Sequence, residues 1–163
     1  MNEWTDLTNE EFHEVFPLLP KDQQCSATNR QSFPLTAEEN LPKYKDWRDA
    51  GVVPPVNNQG SCGSCWTFST INTFESHYAI ATGQRGDNMV RFSQQQLVDC
   101  AGDFDNNGCS GGLPSHAFTY LYYNGLMSLA DYPYTAKDET CKYDATKVKA
   151  WTVGSFNITV GDE

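Results

Sequence analysis

Basic residues are scarce in this chain. Of its 163 residues only 11 are Lys or Arg, against 21 Asp or Glu, for a formal net charge of −10. A nucleic-acid binder neutralises phosphates with a basic footprint, and none exists here, so nucleic acid is excluded as a partner. Long apolar runs are also missing. No stretch approaches the roughly 18 residues that span a bilayer, so no membrane partner is expected. Met1 to Glu11 is polar and acidic, without the basic start and apolar stretch of a secretion signal. Histidine is rare, with only His13, His77 and His116. Internal repeats and low-complexity tracts are absent. With 39% hydrophobic and 13% aromatic residues the chain can build a core, which excludes disorder throughout.

The length predicts a single domain. Six cysteines point to an oxidising compartment. That conflicts with the missing secretion signal, and it leads to the expectation that the true N-terminus lies upstream of Met1. Acidity is uneven: residues 1–40 hold eight acids and two bases, and residues 41–163 hold thirteen and nine. The composition changes near Leu41, from a polar stretch punctuated by Pro17, Pro20, Pro34 and Pro42 to a body rich in aromatics, glycine and cysteine.

Periodicity places the main elements. Thr8-Asn9-Glu10-Glu11 reads as a capping box at a helix start. The longest helix is expected from about Ser64, with Phe68, Ile71, Phe74, Tyr78 and Ala81 on one face and Gly83 as its stop. Ser93-Gln94-Gln95-Gln96 is a second capping-box candidate. Pro114 suits the first turn of a further helix that ends at Asn124-Gly125. Residues 151–160 alternate and predict a strand.

The informative segment is Gln59-Gly60-Ser61-Cys62-Gly63-Ser64-Cys65-Trp66. A thioredoxin-like redox pair should follow a strand, and no strong strand precedes it. A zinc site needs a second close pair, which Cys100 and Cys109 do not form. A purely structural disulfide role leaves the Gln, Gly and Trp unexplained. The remaining reading is nucleophilic catalysis. Cys65 opens the long helix, where free backbone N–H groups and the positive end of the dipole favour a thiolate over a thiol. The thiolate is the reactive form. Gly60 and Gly63 allow close backbone approach.

Five segments in one order carry a resemblance. They are Asp46-Trp47-Arg48, Gln59 to Trp66, Thr67-Phe68-Ser69, Gln95 to Cys100 and Gly108-Cys109-Ser110-Gly111-Gly112, and ahead of them Trp4 to Phe12 resembles a propeptide tail. Together they resemble the papain-like cysteine peptidases. Residues 21–28 around Cys25, with Cys100 to Phe104, Gly111 to Ser115 and Asn157-Ile158-Thr159, are similar to the cathepsin H branch of that family. Pro54-Pro55-Val56-Asn57 departs from the usual family pattern, and Gln24 stands where relatives often carry Asn.

The resemblance implies an α+β, papain-like fold. It would be mainly the helical left-hand domain with a propeptide tail, the right-hand β domain being largely missing. Residues 1–40 would be the end of the propeptide with a linker and the mini-chain-like segment, and residues 41–163 the N-terminal part of the peptidase domain. The implied activity is hydrolysis of peptide bonds through a thioester, with cathepsin H-like aminopeptidase action. A non-catalytic capture module and a cathepsin L-like endopeptidase are the alternatives.

By the same resemblance Cys65 is the nucleophile. Gln59 is an oxyanion donor, a role worth about 3 kcal/mol in the transition state. Gly111 and Gly112 pair with the substrate backbone, Leu113 and Pro114 line the specificity pocket, and Trp66 is core or cleft wall. The implied disulfides are Cys62–Cys109 and Cys100–Cys141, closing loops of 47 and 41 residues. Cys25 is left for a partner outside the chain, with Thr28 as the carboxylate-bearing end of the mini-chain. Asn157 is a glycosylation site.

The implied partners are peptide or protein substrates, the other half of the fold, and cystatin-type inhibitors, in a lysosomal, vacuolar or secreted setting. No cofactor and no metal is implied. The family's His and Asn follow the nucleophile by about 130 to 150 residues. Only 98 residues follow Cys65 here, so the catalytic His and Asn are expected outside this chain, which should be inactive alone.

Overall fold

The computed structural model of the chain describes residues 5–15 and 42–156. The expectations for Cys25, Thr28, Asn157 and most of the linker fall outside these residues. The first described stretch forms α1, Asn9–Val15. Its capping box is reciprocal: the Glu11 N–H donates to Thr8 Oγ1 at 3.2 Å, and the Thr8 N–H donates to Glu11 Oε2 at 2.7 Å. That hydrogen bond from Thr8 holds the exposed Glu11 carboxyl below its usual range.

The body is built on α2, Cys65–Thr82, which Gly83 ends in the left-handed conformation. It packs against α3, Gln94–Cys100, and α4, Pro114–Asn124. The core gathers Trp66, Ile71 and Phe74 from α2, Leu97 from α3, and Ala117, Tyr120 and Leu121 from α4, with Phe92 and Leu126 between them. Phe92 meets Phe74 and Tyr78 edge-on at 5.1 and 5.2 Å, a favoured aromatic geometry.

The buried face of α2 is not quite the one that apolar spacing predicts. Phe68 and Tyr78 are only half-buried and Ala81 is exposed, whereas Thr67, Thr70 and Glu75 are buried. Each buried polar group has a partner, which is the condition for placing it there. Thr67 Oγ1 donates to the Ser64 carbonyl and Thr70 Oγ1 to the Trp66 carbonyl, both within the helix. Glu75 Oε1 accepts the Phe92 N–H at 2.7 Å, and its Oε2 accepts Arg91 Nε at 2.8 Å. Burial nevertheless pushes the Glu75 carboxyl up from 4.5, against the pull of that N–H and of Arg91.

The second capping box is only half formed. Ser93 Oγ accepts the Gln96 N–H at 3.0 Å, but Gln96 does not reach back. Its amide is spent inside the core: Nε2 donates to Tyr120 Oη and to the Gly125 carbonyl at 3.0 Å each, and Oε1 accepts the Met127 N–H at 2.8 Å. Gln95 acts in the same way on another loop, donating to Asp99 Oδ1 and the Lys137 carbonyl and accepting the Thr135 N–H.

The strand expected over 151–160 lies only in part among the described residues, and there it is corrected: residues 151–155 carry no strand and only Phe156 sits in a bridge. The described sheet pairs β1, Leu126–Met127, antiparallel with β2, Val148–Ala150. Trp151 and Val153 point largely to solvent, so no apolar face is buried to hold a strand over 151–155. Gly125 makes the pairing possible. At φ 70° it ends α4, and a Cβ on it would lie 2.7–2.8 Å from Trp151 Nε1, Val148 Cγ1 and the Ala150 carbonyl. Among the described residues no helix is long and apolar enough to cross a membrane.

Because the folded Glu75 carboxyl binds its proton more tightly than an unfolded one, its contribution to stability grows as pH falls. The unfolding free energy of the wild type minus that of Glu75→Gln should therefore rise from about pH 7 to below the unperturbed value of 4.5. Urea melts of the two proteins across that range check this, and a difference that falls with acidification contradicts it.

Candidate active site

The segment from Gln59 to Cys65 is clamped on several sides. Asn58 Oδ1 accepts the Gly60 N–H, and Gly60 turns at φ 63°. The Cys62 carbonyl accepts Gln59 Nε2 at 2.7 Å and the Ser64 N–H at 2.8 Å. Cys62 is bonded to Cys109, and the Gly63 N–H donates to the Cys109 carbonyl at 2.9 Å. Ser64 precedes α2 but does not cap it with its side chain. Its hydroxyl lies 2.6 Å from Tyr134 Oη, which in turn donates to the Gln59 carbonyl at 2.7 Å.

Cys65 is the first residue of α2, a free thiol, and exposed between fully buried Ser64 and nearly buried Trp66. The fold therefore delivers a thiol to the surface at the N-terminus of an 18-residue helix, where backbone N–H groups have no carbonyl of their own turn to bond. Gln59 donates its amide to the carbonyl of Cys62, three residues before the thiol.

The second wall is the loop from Asn106 to Pro114. The Asn107 N–H donates to the Gly111 carbonyl at 2.8 Å, and Asn106 Oδ1 accepts the Leu113 N–H at 3.0 Å. Asp138 Oδ1 holds the Cys109 N–H at 2.8 Å. Trp66 Nε1 donates to the Gly108 carbonyl at 3.0 Å, so the indole supports this loop from inside the core. A Cβ on Gly112 would lie 2.5 Å from Asn106 Oδ1 and 2.7–2.8 Å from the Trp66 ring. Gly111 already uses its backbone within the loop, donating to the Gly108 carbonyl as well, whereas Gly112 has no backbone partner among the described residues. Leu113 and Pro114 follow, half-buried, with Pro114 in the first turn of α4.

The second bridge, Cys100–Cys141, ties the end of α3 to the loop that carries Tyr134 and Asp138. Tyr132 reinforces that tie by donating to Asp99 Oδ2 at 2.7 Å. The two bridges leave Cys65 as the one free thiol among the described cysteines.

None of the three histidines bonds to Cys65. His77 lies twelve residues along the same helix, about 18 Å up its axis. His116 Nδ1 is 3.2 Å from the Asp105 carbonyl, and His13 has a ring contact with Phe12. Among the described residues no group of three His, Cys, Asp or Glu could hold a metal.

Comparison with known proteins decides the family. Residues 41–162 match the family described as "Papain family cysteine protease". The chain belongs to the papain family of cysteine proteases. It is similar to "Thiol protease aleurain" of Arabidopsis thaliana, with 50% identity over all of this chain and 44% of that protein. It is also similar to "Pro-cathepsin H" of Mus musculus, with 46% identity over all of this chain and 47% of that protein. Among solved structures, procathepsin L2 of the Tenebrio molitor larval midgut superposes with a TM-score of 0.77 at 39% identity, covering 94% of this chain and 50% of that one. The chain thus spans about half the length of the relatives it matches. Its fold is papain-like: a mostly helical left-hand domain with only a small two-stranded sheet.

Sequence reading did not single out Tyr134, Asn106 or Asp138, whose parts in the site depend on contacts 70, 7 and 29 residues away. No local spacing signals such contacts.

Gly112→Ala should destabilise this papain-family chain by about 1–3 kcal/mol, because the new methyl meets a buried ring and a hydrogen-bonded carbonyl. Thermal melting checks it, and an unchanged midpoint would show that the loop yields freely.

Proposed function

We propose that this chain carries the nucleophilic half of a papain-type peptidase. The observation that carries the reading is the exposed free thiol at the start of α2, in a segment where a glutamine amide is fixed by the Cys62 carbonyl. Cys65 Sγ attacks the scissile carbonyl, forming an S–C bond as the carbonyl π electrons move to oxygen. The free Gln59 N–H and the Cys65 backbone N–H take that oxyanion, a role worth about 3 kcal/mol per donor. Collapse gives the thioester and releases the amine, which needs a proton. A histidine outside the described residues supplies it, with an asparagine to orient the ring, from the C-terminal half of the same fold.

The substrate backbone pairs with Gly112, whose N–H and carbonyl meet no backbone partner among the described residues, more than with Gly111, whose groups are engaged. Leu113 and Pro114 line the side-chain pocket. Three relatives at 46% identity are named pro-cathepsin H, which supports an aminopeptidase in which the mini-chain around Cys25, ending at Thr28, fills one end of the cleft. Two disulfides support an oxidising setting, and the family resemblance supports a lysosomal, vacuolar or secreted one, with Asn157 glycosylated and cystatin-type proteins as inhibitors.

An epoxide affinity probe should label Cys65 in the wild type and not in Cys65→Ala, as mass spectrometry of the tryptic peptide would show. The chain alone should not release the fluorophore from an aminoacyl amide between about pH 5 and 7, since no histidine reaches the thiol. Turnover that Cys65→Ala abolishes would overturn the second expectation, and failure to label would overturn the first.

A further inference from the structure

We propose that Tyr134 is a positioning residue for the oxyanion site: it sets the Gln59 loop against the start of α2 through a directed chain of hydroxyl bonds. The inference rests on the reading of Gln59 and Cys65 given above. A carbonyl can only accept, so the single Tyr134 proton goes to the Gln59 carbonyl at 2.7 Å. The 2.6 Å contact between Tyr134 Oη and Ser64 Oγ must then be donated by Ser64. The order is Ser64 to Tyr134 to Gln59. It joins the residue before the nucleophile to the residue that offers the amide.

The phenol is well placed to hold this geometry. Burial pushes the Tyr134 hydroxyl up, so it stays protonated and remains a donor. Its ring meets Phe68, one turn along α2, edge-on at 5.0 Å. Its backbone is held by Gln95, which accepts the Thr135 N–H at 2.9 Å and donates to the Lys137 carbonyl at 2.6 Å. Without the hydroxyl, Ser64 keeps only a 3.4 Å approach to the Cys62 carbonyl, and the Gln59 carbonyl loses its partner. The Gln59 amide then depends on one bond to Cys62 for its position. A displacement well under the size of an atom is enough to weaken a developing-charge contact.

The test uses two reactions of Cys65 in the full chain. A peptide aldehyde adds reversibly: the Sγ–C bond forms, the π pair moves to oxygen, and the thiol proton passes to that oxygen or to solvent. Iodoacetamide alkylates Sγ with loss of iodide and develops no oxyanion. Tyr134→Phe keeps the ring and its Phe68 contact. It should weaken aldehyde affinity about tenfold, the worth of one ordinary hydrogen bond, while the iodoacetamide rate stays within about twofold of wild type.

Gln59→Ala should weaken the aldehyde at least as much. Ser64→Ala leaves the Tyr134 bond to Gln59 intact and should cost less than about threefold. Unchanged aldehyde affinity in Tyr134→Phe, with a loss in Gln59→Ala, overturns the role of Tyr134 and leaves the oxyanion reading standing. No loss in Gln59→Ala, or no aldehyde binding by the wild type, overturns both. If Tyr134→Phe does not fold, Ser64→Ala decides: a loss near tenfold there overturns the proposed direction of the chain.

Discussion

The site turns on the carbonyl oxygen of Cys62. It accepts the Gln59 amide and the Ser64 N–H, on either side of the bend that starts α2. The residue that owns it is itself bonded through sulfur to Cys109 on the opposite loop. A single acceptor thus fixes both the residue that presents an amide and the helix that presents a thiol. The rest of the body serves that arrangement. α3 and its buried glutamines hold the Tyr134 loop, α4 carries the Leu113 wall, and Trp66 links the helix that bears Cys65 to the Gly108 carbonyl.

Much of what holds these loops is polar and buried. Gln95, Gln96, Thr67, Thr70 and Glu75 are each almost fully removed from solvent, and each has partners. A buried amide that makes all its bonds is a rigid joint, because leaving any one unmade costs a desolvated group. An apolar core could pack the helices. It could not specify which loop carbonyl or N–H lies against α3, and that directional choice fixes where Tyr134 and Asp138 stand. Both disulfides work in the same direction by joining segments 47 and 41 residues apart.

The legible parts of the fold were those whose cause is local. The capping box at Thr8, the start of α2 near Ser64, its stop at Gly83 and the proline-led start of α4 depend on a few adjacent residues, and each lies where its residues place it. The illegible parts depend on distant partners. The Ser93 box looked complete by spacing, yet Gln96 turned inward because Met127 offered it a buried donor and Gly125 a buried acceptor. The strand at 148–150 forms because its partner lies at 126–127, and alternation alone cannot name a partner.

The sequence by itself determined the groups on offer: a cysteine preceded by glutamine and glycines, at a helix start, in an acidic chain with few bases and no membrane-spanning run. Those are properties of residue type and near spacing, which covalent connection alone enforces. Only the tertiary structure decided which backbone groups of the Gly111-Gly112 wall bond to other described residues, that Trp66 supports that wall from within, and that a tyrosine seventy residues from Ser64 meets its hydroxyl. Hydrogen bonds are directional and short, so which ones form depends on where the packed helices bring the chain, not on its order.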